Sequence, residues 1–213
     1  MVYKKIKIGF HNYNNRFNRT ILVREDINLI ELGCVICTSL RAEFEHYFLF
    51  IKNDLYYTPD CFIESPLSYY INEVPMKKYQ LKDLGDEFTF LYDTGDNWEF
   101  DCKVYKKTVK IDEDYKFAYL LDGKGQGIWE DNIQTLTMYL DGEIDPNGNE
   151  ENEDKGIYFP WNFIIDKYLD FDTSFDLDIE KDIFDCDVGY NIEIYLEKCH
   201  YCGYELEVKP RNY

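Results

Sequence analysis

The amino-acid sequence predicts an α+β fold in which a mostly antiparallel sheet wraps around one buried helix. Tyrosine and phenylalanine account for 20 and 15 of the 213 residues, and both residue types favour strands. One segment near the N-terminus is helical in length and apolar on nearly every side, which is typical of a helix enclosed by other elements. The chain length fits one large domain, or one domain with an appendage.

The first elements are predicted to be a β-hairpin followed by the buried helix. Residues 2–10 alternate well enough for a strand, residues 11–15 form an asparagine-rich turn, and residues 17–23 form the second strand. Asp26 has the character of a helix N-cap. Residues 27–41 contain no proline and have apolar side chains around most of the helix, so we expect the sheet to cover it.

The remaining elements follow from shorter patterns. Further strands are predicted at residues 45–51, 55–57, 88–92, 98–106 and 117–121. Residues 58–74 contain prolines and are predicted to be irregular, and residues 76–84 fit a short helix or a strand. Short helices are expected at residues 132–140 and 159–169.

The end of the chain is predicted to be a C-terminal β-hairpin. Residues 192–196 and 204–208 both alternate cleanly between apolar and polar side chains. We therefore expect one α+β domain over residues 1–190, with an acidic loop at 141–155, and a hairpin appendage over 191–213.

The charge of the chain constrains its partners. The formal net charge is −19, which argues against binding nucleic-acid phosphates, because that requires clustered lysine and arginine. Residues 141–191 hold sixteen acids and three lysines. This acidic region either keeps the protein in solution or docks on a basic protein partner. No apolar run approaches the ~20 residues of a membrane span, and the N-terminus has no apolar signal core, so we expect a soluble, cytoplasmic protein.

An acidic turn between two predicted strands is the main candidate for a site. The candidates for binding a ligand or partner there are His46, Asp93, Asp96, Trp98, Glu99, Glu130 and Asp131. Carboxylates held together ligate a divalent cation or form an acid–base pair. The alternative is structural: aspartate and glycine suit a tight turn, Trp98 fills the core, and His46 is a core histidine bonded to a backbone carbonyl.

The cysteines form a second candidate site. The chain has seven cysteines, an odd number without a compact framework spacing, so we expect reduced thiols. Cys199 and Cys202 lie in a Cys-x-x-Cys-Gly sequence between two predicted strands, as in a zinc knuckle. Such a knuckle supplies two of four zinc ligands, and Cys186, His200 or a second chain in a homodimer is a candidate to complete them. The alternative is a pair of free thiols.

Residues 92–99, which read Tyr-Asp-Thr-Gly-Asp-Asn-Trp-Glu, carry a family resemblance. They resemble the Tyr-Asp-Phe-Gly-Asp-Asp-Trp-Glu-His signature of the plasmid pRiA4b ORF-3-like family. Weaker matches lie at residues 29–50, 122–132 and 171–178, so the resemblance covers about residues 1–190. It implies an α+β roll with a curved sheet around a helix, and it links the chain to mobile elements without supplying a reaction. Phe100 stands where the signature has histidine.

Three functions are compatible with these patterns. The leading hypothesis is a non-enzymatic interaction module whose acidic surface docks on a basic protein, with a mobile-element inhibitor that imitates nucleic acid as one form of it. The second is a metal-dependent enzyme that uses the carboxylates of Asp93, Asp96 and Glu99. The third is a structural protein stabilised by zinc at Cys199 and Cys202.

Overall fold

The computed structural model describes residues 1–60, 63, 70–111, 116–144 and 175–198. Its main feature is an open, curled sheet with the strand order β5-β4-β3-β6-β7-β1-β2-β8. All neighbouring strands are antiparallel except the pair β4 and β5. The strands are β1 (Val2–Phe10), β2 (Asn18–Arg24), β3 (Phe48–Lys52), β4 (Leu55–Thr58), β5 (Glu73–Pro75), β6 (Glu87–Tyr92), β7 (Trp98–Lys110) and β8 (Ala118–Lys124). The predicted α+β class with a mostly antiparallel sheet is confirmed.

The described part of the chain contains four α-helices. They are α1 (Leu29–Ser39), α2 (Leu81–Leu84), α3 (Ile133–Leu140) and α4 (Leu177–Lys198), with a 3₁₀ turn at Met76–Lys78. The segment 76–84, for which the sequence left helix and strand open, is thus helical at Met76–Lys78 and Leu81–Leu84. None of the helices in the described part of the chain is long and apolar enough to cross a membrane.

The helix α1 occupies the centre of the core, as its apolar pattern predicts. Every residue of α1 except Glu31 is buried, and the sheet strands supply most of the surrounding apolar side chains. The N-cap is Asn28, whose side chain accepts a hydrogen bond from the Glu31 N–H at 2.9 Å. The predicted cap at Asp26 is wrong, because the Asp26 carboxylate instead pairs with Arg24 at 2.6 Å.

The end of the described chain differs from the prediction. Residues 192–196 were expected to be a strand of a C-terminal hairpin, but they form part of the helix α4. Phe184, Val188, Ile192 and Tyr195 are the buried apolar residues of α4, and their spacing of three and four residues is helical. The burial of these side chains stabilises the helix, although the local alternation of residues 192–196 predicted a strand. Residues 145–155 of the loop predicted at 141–155, the predicted helix at 159–169 and the second predicted hairpin strand lie outside the described residues.

Candidate functional site

The acidic turn between β6 and β7 places Asp93 in a buried, defined position. Asp93 has a φ of 54°, in the left-handed region, where aspartate and asparagine are among the better tolerated residues. Its Oδ1 accepts a hydrogen bond from the Gly95 N–H at 2.8 Å, and its backbone N–H donates to the Tyr47 carbonyl oxygen at 3.1 Å. These bonds hold the Asp93 carboxylate next to the segment that precedes β3.

His46 lies on that segment and faces two carboxylates. It was predicted to lie in a strand, but β3 begins only at Phe48 and His46 belongs to the bend before it. Its Nδ1 is 3.5 Å from Asp93 Oδ1, and its Nε2 is 3.3 Å from Asp131 Oδ1. Asp93 is almost fully buried, whereas the Asp131 side chain is 69% exposed. The two imidazole nitrogens therefore face different carboxylates, one buried and one exposed.

Glu130 and Tyr92 extend the site on the interior side. The Tyr92 hydroxyl donates to Glu130 Oε1 at 2.9 Å, and the Glu43 backbone N–H donates to the same oxygen at 2.7 Å. Burial raises the pKa of the Glu130 carboxyl, and the hydrogen bonds from Glu43 and Tyr92 and the charge of His46 act in the opposite direction. Burial also raises the pKa of Tyr92, so its hydroxyl is a hydrogen-bond donor at neutral pH.

Two polar atoms of this cluster are buried without a hydrogen-bond partner among the described residues. They are Nε2 of His46 and Oε2 of Glu130. The 3.3 Å approach of Nε2 to Asp131 does not have the geometry of a hydrogen bond. Because buried polar atoms are normally satisfied, these two atoms are candidate contacts for an added ligand. We call His46, Asp93, Glu130 and Asp131 the His46 centre.

Two of the predicted site residues have structural roles instead. Asp96 Oδ2 accepts a hydrogen bond from the Ile133 N–H at 3.3 Å, so this carboxylate caps the N-terminus of α3. The Trp98 side chain has no exposed surface and its ring lies 5.5 Å from the ring of Phe10. Trp98 therefore fills the core, which is the structural alternative that the sequence left open.

Glu99 does not join the His46 centre. Its neighbours Trp98 and Phe100 point into the core, so strand alternation turns Glu99 to the outer face of the sheet. There it lies close to His11 and Asp101, and His11 Nδ1 is 3.0 Å from Asp101 Oδ2. The expectation that Asp93, Asp96 and Glu99 form one coordination shell is wrong, because alternation and the α3 cap separate their side chains.

The sequence analysis missed one residue that contacts the His46 centre, Tyr92, and two residues of the separate cluster around Glu99, His11 and Asp101. Tyr92 stands at the start of the acidic motif, yet its role depends on Glu130, which is 38 residues away. His11 and Asp101 lie 90 residues apart and carried no local signal. Their position at facing ends of β1 and β7 follows only from the antiparallel register, in which Gly9 pairs with Asp101.

The cysteines do not form a described metal site. Cys34 and Cys37 are buried in α1 and Cys102 is buried in β7. Burial raises the pKa of the Cys37 and Cys102 thiols well above the usual value, so both are inert thiols. The predicted knuckle residues Cys199 and Cys202 lie outside the described residues, and zinc binding there stays a prediction.

The fold and the site define a class: an α+β protein whose curled antiparallel sheet encloses one helix and presents a histidine–carboxylate cluster at the end of β6. The chain belongs to the family of plasmid pRiA4b ORF-3-like proteins, whose model matches residues 3–175. This confirms the resemblance carried by residues 92–99.

One solved structure supports the same fold. A crystal structure of a protein of unknown function from Methanosarcina mazei Go1 is similar to this chain with a TM-score of 0.63 and 19% sequence identity. The similarity covers 84% of this chain and 97% of that one. No curated protein matches the sequence. The family and this neighbour establish the architecture, and neither assigns an activity.

Proposed function

We propose that the chain is a binding module that takes up a divalent transition-metal ion at the His46 centre. The observation that carries the proposal is a pair of buried atoms that have no hydrogen-bond partner among the described residues, His46 Nε2 and Glu130 Oε2. A neutral imidazole nitrogen and a carboxylate oxygen are both metal ligands, and a bound cation satisfies each of them.

The spacing of the donor atoms supports a metal ion. Two ligand atoms bound to one ion at about 2.1 Å lie about 3.0–3.4 Å apart for octahedral and tetrahedral angles. His46 Nε2 and Asp131 Oδ1 are 3.3 Å apart. The ligand atoms of His46, Asp93 and Asp131 all lie within 4.8 Å of one another. With Asp93 holding the ring, and with Glu130, which feels the charge of His46, as a further proposed donor, the ligand set is one imidazole and two carboxylates. Imidazole favours zinc and its first-row neighbours, whereas magnesium and calcium prefer oxygen alone.

Asp93 has a different role in this proposal. Its Oδ1 faces Nδ1 of His46, the nitrogen on the opposite edge of the ring from the proposed ligand Nε2. Histidine ligands commonly donate their other N–H to a carboxylate, which fixes the tautomer and the ring orientation. The bond from the Gly95 N–H keeps that carboxylate in place. Asp93 therefore orients the imidazole rather than binding the ion.

Calorimetric titration of chelator-treated protein with ZnCl₂ and MnCl₂ tests the proposal. We expect one equivalent of zinc to bind, Asp131→Asn to weaken binding at least tenfold, and Asp93→Asn to weaken it about tenfold. Asparagine tolerates the positive φ of 54° that both positions have, so each variant removes charge without disturbing the backbone. Magnesium should bind far more weakly than zinc.

Asp101→Asn is the matched control, because it changes the second histidine–carboxylate cluster at His11 in the same way. Zinc affinity should be unchanged in this variant. Loss of binding in Asp101→Asn together with normal binding in Asp131→Asn would move the site to the His11 cluster. Absence of zinc binding by the unaltered chain refutes the proposal.

A second candidate function, docking on a basic protein, is supported by the outer face of α4. This face carries two exposed apolar side chains, Ile179 and Tyr190, which are 56% and 64% exposed. Exposed acids surround them: Asp178, Asp182, Asp185, Asp187 and Glu193. An aromatic anchor within a charged rim is typical of protein interfaces, and the charge favours a basic partner. An inhibitor that occupies a nucleic-acid-binding surface is one form of this function.

Fluorescence anisotropy with a labelled arginine-rich peptide tests the second candidate. Binding should fall steeply between about 50 and 500 mM salt, since screening weakens exposed charge pairs. Tyr190→Ala, which leaves the charge unchanged, should weaken binding severalfold. Salt-insensitive binding, or equal binding by Tyr190→Ala, would remove α4 as the docking face.

A further inference from the structure

The inner face of α4 contacts the segment that carries His46. The Tyr195 ring stacks on the Phe48 ring with a centroid distance of 4.9 Å and an angle of 25°. The same ring lies 6.1 Å from the ring of Phe44. Phe44 and Phe48 flank His46 at equal distances along the chain, two residues before it and two after it. One side chain of α4 therefore holds both ends of the segment that presents the imidazole.

This segment depends on side-chain packing for its position. It lies between α1 and β3 and forms no strand or helix. Phe44 has a φ of 62°, a conformation that bulky residues adopt only when their surroundings impose it. The His46 backbone N–H has a long hydrogen bond of 3.4 Å to the Tyr92 hydroxyl. Loss of the Tyr195 ring would thus permit the Phe44 backbone to relax and the imidazole to turn.

Close packing against α1 confines the Phe48 ring. The ring lies against Gly33 of α1, where a Cβ atom would come within 1.8 Å of a ring atom. Its position is therefore set jointly by α1 and by the stacked ring of α4. Removing Tyr195 leaves a gap on one face only, and the ring shifts in that direction.

We propose that Tyr195 is a positioning residue for the His46 centre, so that the docking of α4 sets the metal affinity of the site. This inference rests on the proposed metal binding. The Asn191 side chain of α4 donates to Thr38 Oγ1 of α1 at 3.1 Å, and Glu180 of α4 pairs with Arg41, just beyond the end of α1, at 3.5 Å. The helix α4 begins after residue 175, where the family match ends.

The coupling is reciprocal by thermodynamic linkage. If a docked α4 favours the metal-binding arrangement of His46, then bound metal favours the docked α4. A partner that binds the outer face of α4 and pulls it from the sheet lowers metal affinity. A partner that binds α4 in place raises it.

Zinc titration of four α4 variants tests the inference, with Co²⁺ absorption as a probe of coordination geometry. Tyr195→Ala should weaken zinc binding at least tenfold and change the Co²⁺ spectrum. Tyr195→Phe keeps the stacked ring and should bind zinc within about twofold of the unaltered chain. Tyr190→Ala removes an exposed ring from the same helix and should leave both measurements unchanged.

Val188→Ala separates positioning from general stability. Val188 is buried on the same face of α4, so its truncation destabilises the helix, but it has no ring to stack on Phe48. Zinc affinity should remain within about twofold. Equal weakening in Val188→Ala and Tyr195→Ala would overturn the inference. Where Tyr195→Ala fails to fold, Tyr195→Leu, which keeps an apolar side chain without the flat stack, provides the same comparison.

Hydrogen exchange supplies an independent readout of the same coupling. Zinc should slow amide exchange in residues 188–195 of the unaltered chain and leave it unchanged in Asp131→Asn. The outcomes separate the two proposals. If the unaltered chain binds no zinc, the proposed function fails and this inference fails with it. If it binds zinc and Tyr195→Ala binds equally well, only the role of Tyr195 is refuted.

Discussion

Gly33 on α1 provides a direct test of the packing beneath His46. A Cβ atom at this position would lie 1.8, 2.3 and 2.5 Å from three ring atoms of Phe48. Carbon atoms pack favourably at about 3.5–4.0 Å. The Phe48 ring would therefore have to move by more than an ångström, and the Tyr195 ring stacked on it at a centroid distance of 4.9 Å restricts that movement. Gly33→Ala should strain both α1 and the segment that carries His46.

The expected magnitude follows from two opposing effects. Forcing extra atoms into a well-packed core costs about 1–3 kcal/mol, and the severe overlap at Gly33 places this variant near the upper end. Alanine in a helix recovers about 1 kcal/mol relative to glycine. The net loss of unfolding free energy should be about 2 kcal/mol.

Gly189 on α4 is the matched control. It also lies inside a helix, but a Cβ there would have nothing within 4 Å. Gly189→Ala should therefore raise the free energy of unfolding by about 1 kcal/mol, through the higher helix propensity of alanine alone. The two variants carry the same chemical change and should differ by about 3 kcal/mol, which urea denaturation followed by circular dichroism resolves. A Gly33→Ala protein as stable as the unaltered chain would refute the packing described around Phe48.

Two further predictions concern buried polar groups. Burial raises the pKa of Glu130 in the folded state. The free energy of unfolding of the unaltered chain should therefore fall as pH rises through that pKa. Metal-free Glu130→Gln lacks this titration, so its stability relative to the unaltered chain should increase as pH rises above about 4.5. Urea midpoints measured from pH 4 to 7.5 check this, and a difference that does not change with pH would contradict it. Arg19 is fully buried and donates to the carbonyl oxygens of Asn18, Ser39, Lys124 and Gly125. Arg19→Met should lower the free energy of unfolding by at least about 3 kcal/mol, because these carbonyls lose their partner. Arg19→Lys should not restore this stability, because an ammonium cannot replace the planar guanidinium. The control Lys7→Met, at an exposed position, should change the free energy of unfolding by less than about 0.5 kcal/mol.

The sequence alone determined the class of fold, the buried helix and the acidic turn. Each of these depends on residues that are close together in the chain. The apolar residues of α1 surround the helix, so burial on all sides follows from periodicity. The turn at residues 93–97 carries aspartate, glycine and asparagine, which tolerate the positive φ values at Asp93 and Asn97. The family motif spans the same turn.

The C-terminal helix shows where a local pattern is ambiguous. Residues 192–196 alternate over only five positions, and such a short run fits a strand or part of a helix. The longer spacing of Phe184, Val188, Ile192 and Tyr195 identifies the helix. That spacing has meaning only because α1 and β8 offer an apolar surface for these side chains, which is a property of the assembled fold.

Only the tertiary structure decided which carboxylates share a site. Asp93, Asp96 and Glu99 are neighbours in sequence, yet one faces His46, one caps α3 and one lies on the outer face of the sheet. Glu130 and Asp131 reach the site because their loop returns to the end of α1, where the Ile128 N–H donates to the Leu40 carbonyl oxygen. Strand alternation separates residues that are adjacent in the chain, and loop packing joins residues that are distant. The sequence motif therefore identified one side of the site, whereas the packing of the loops determined which residues form it.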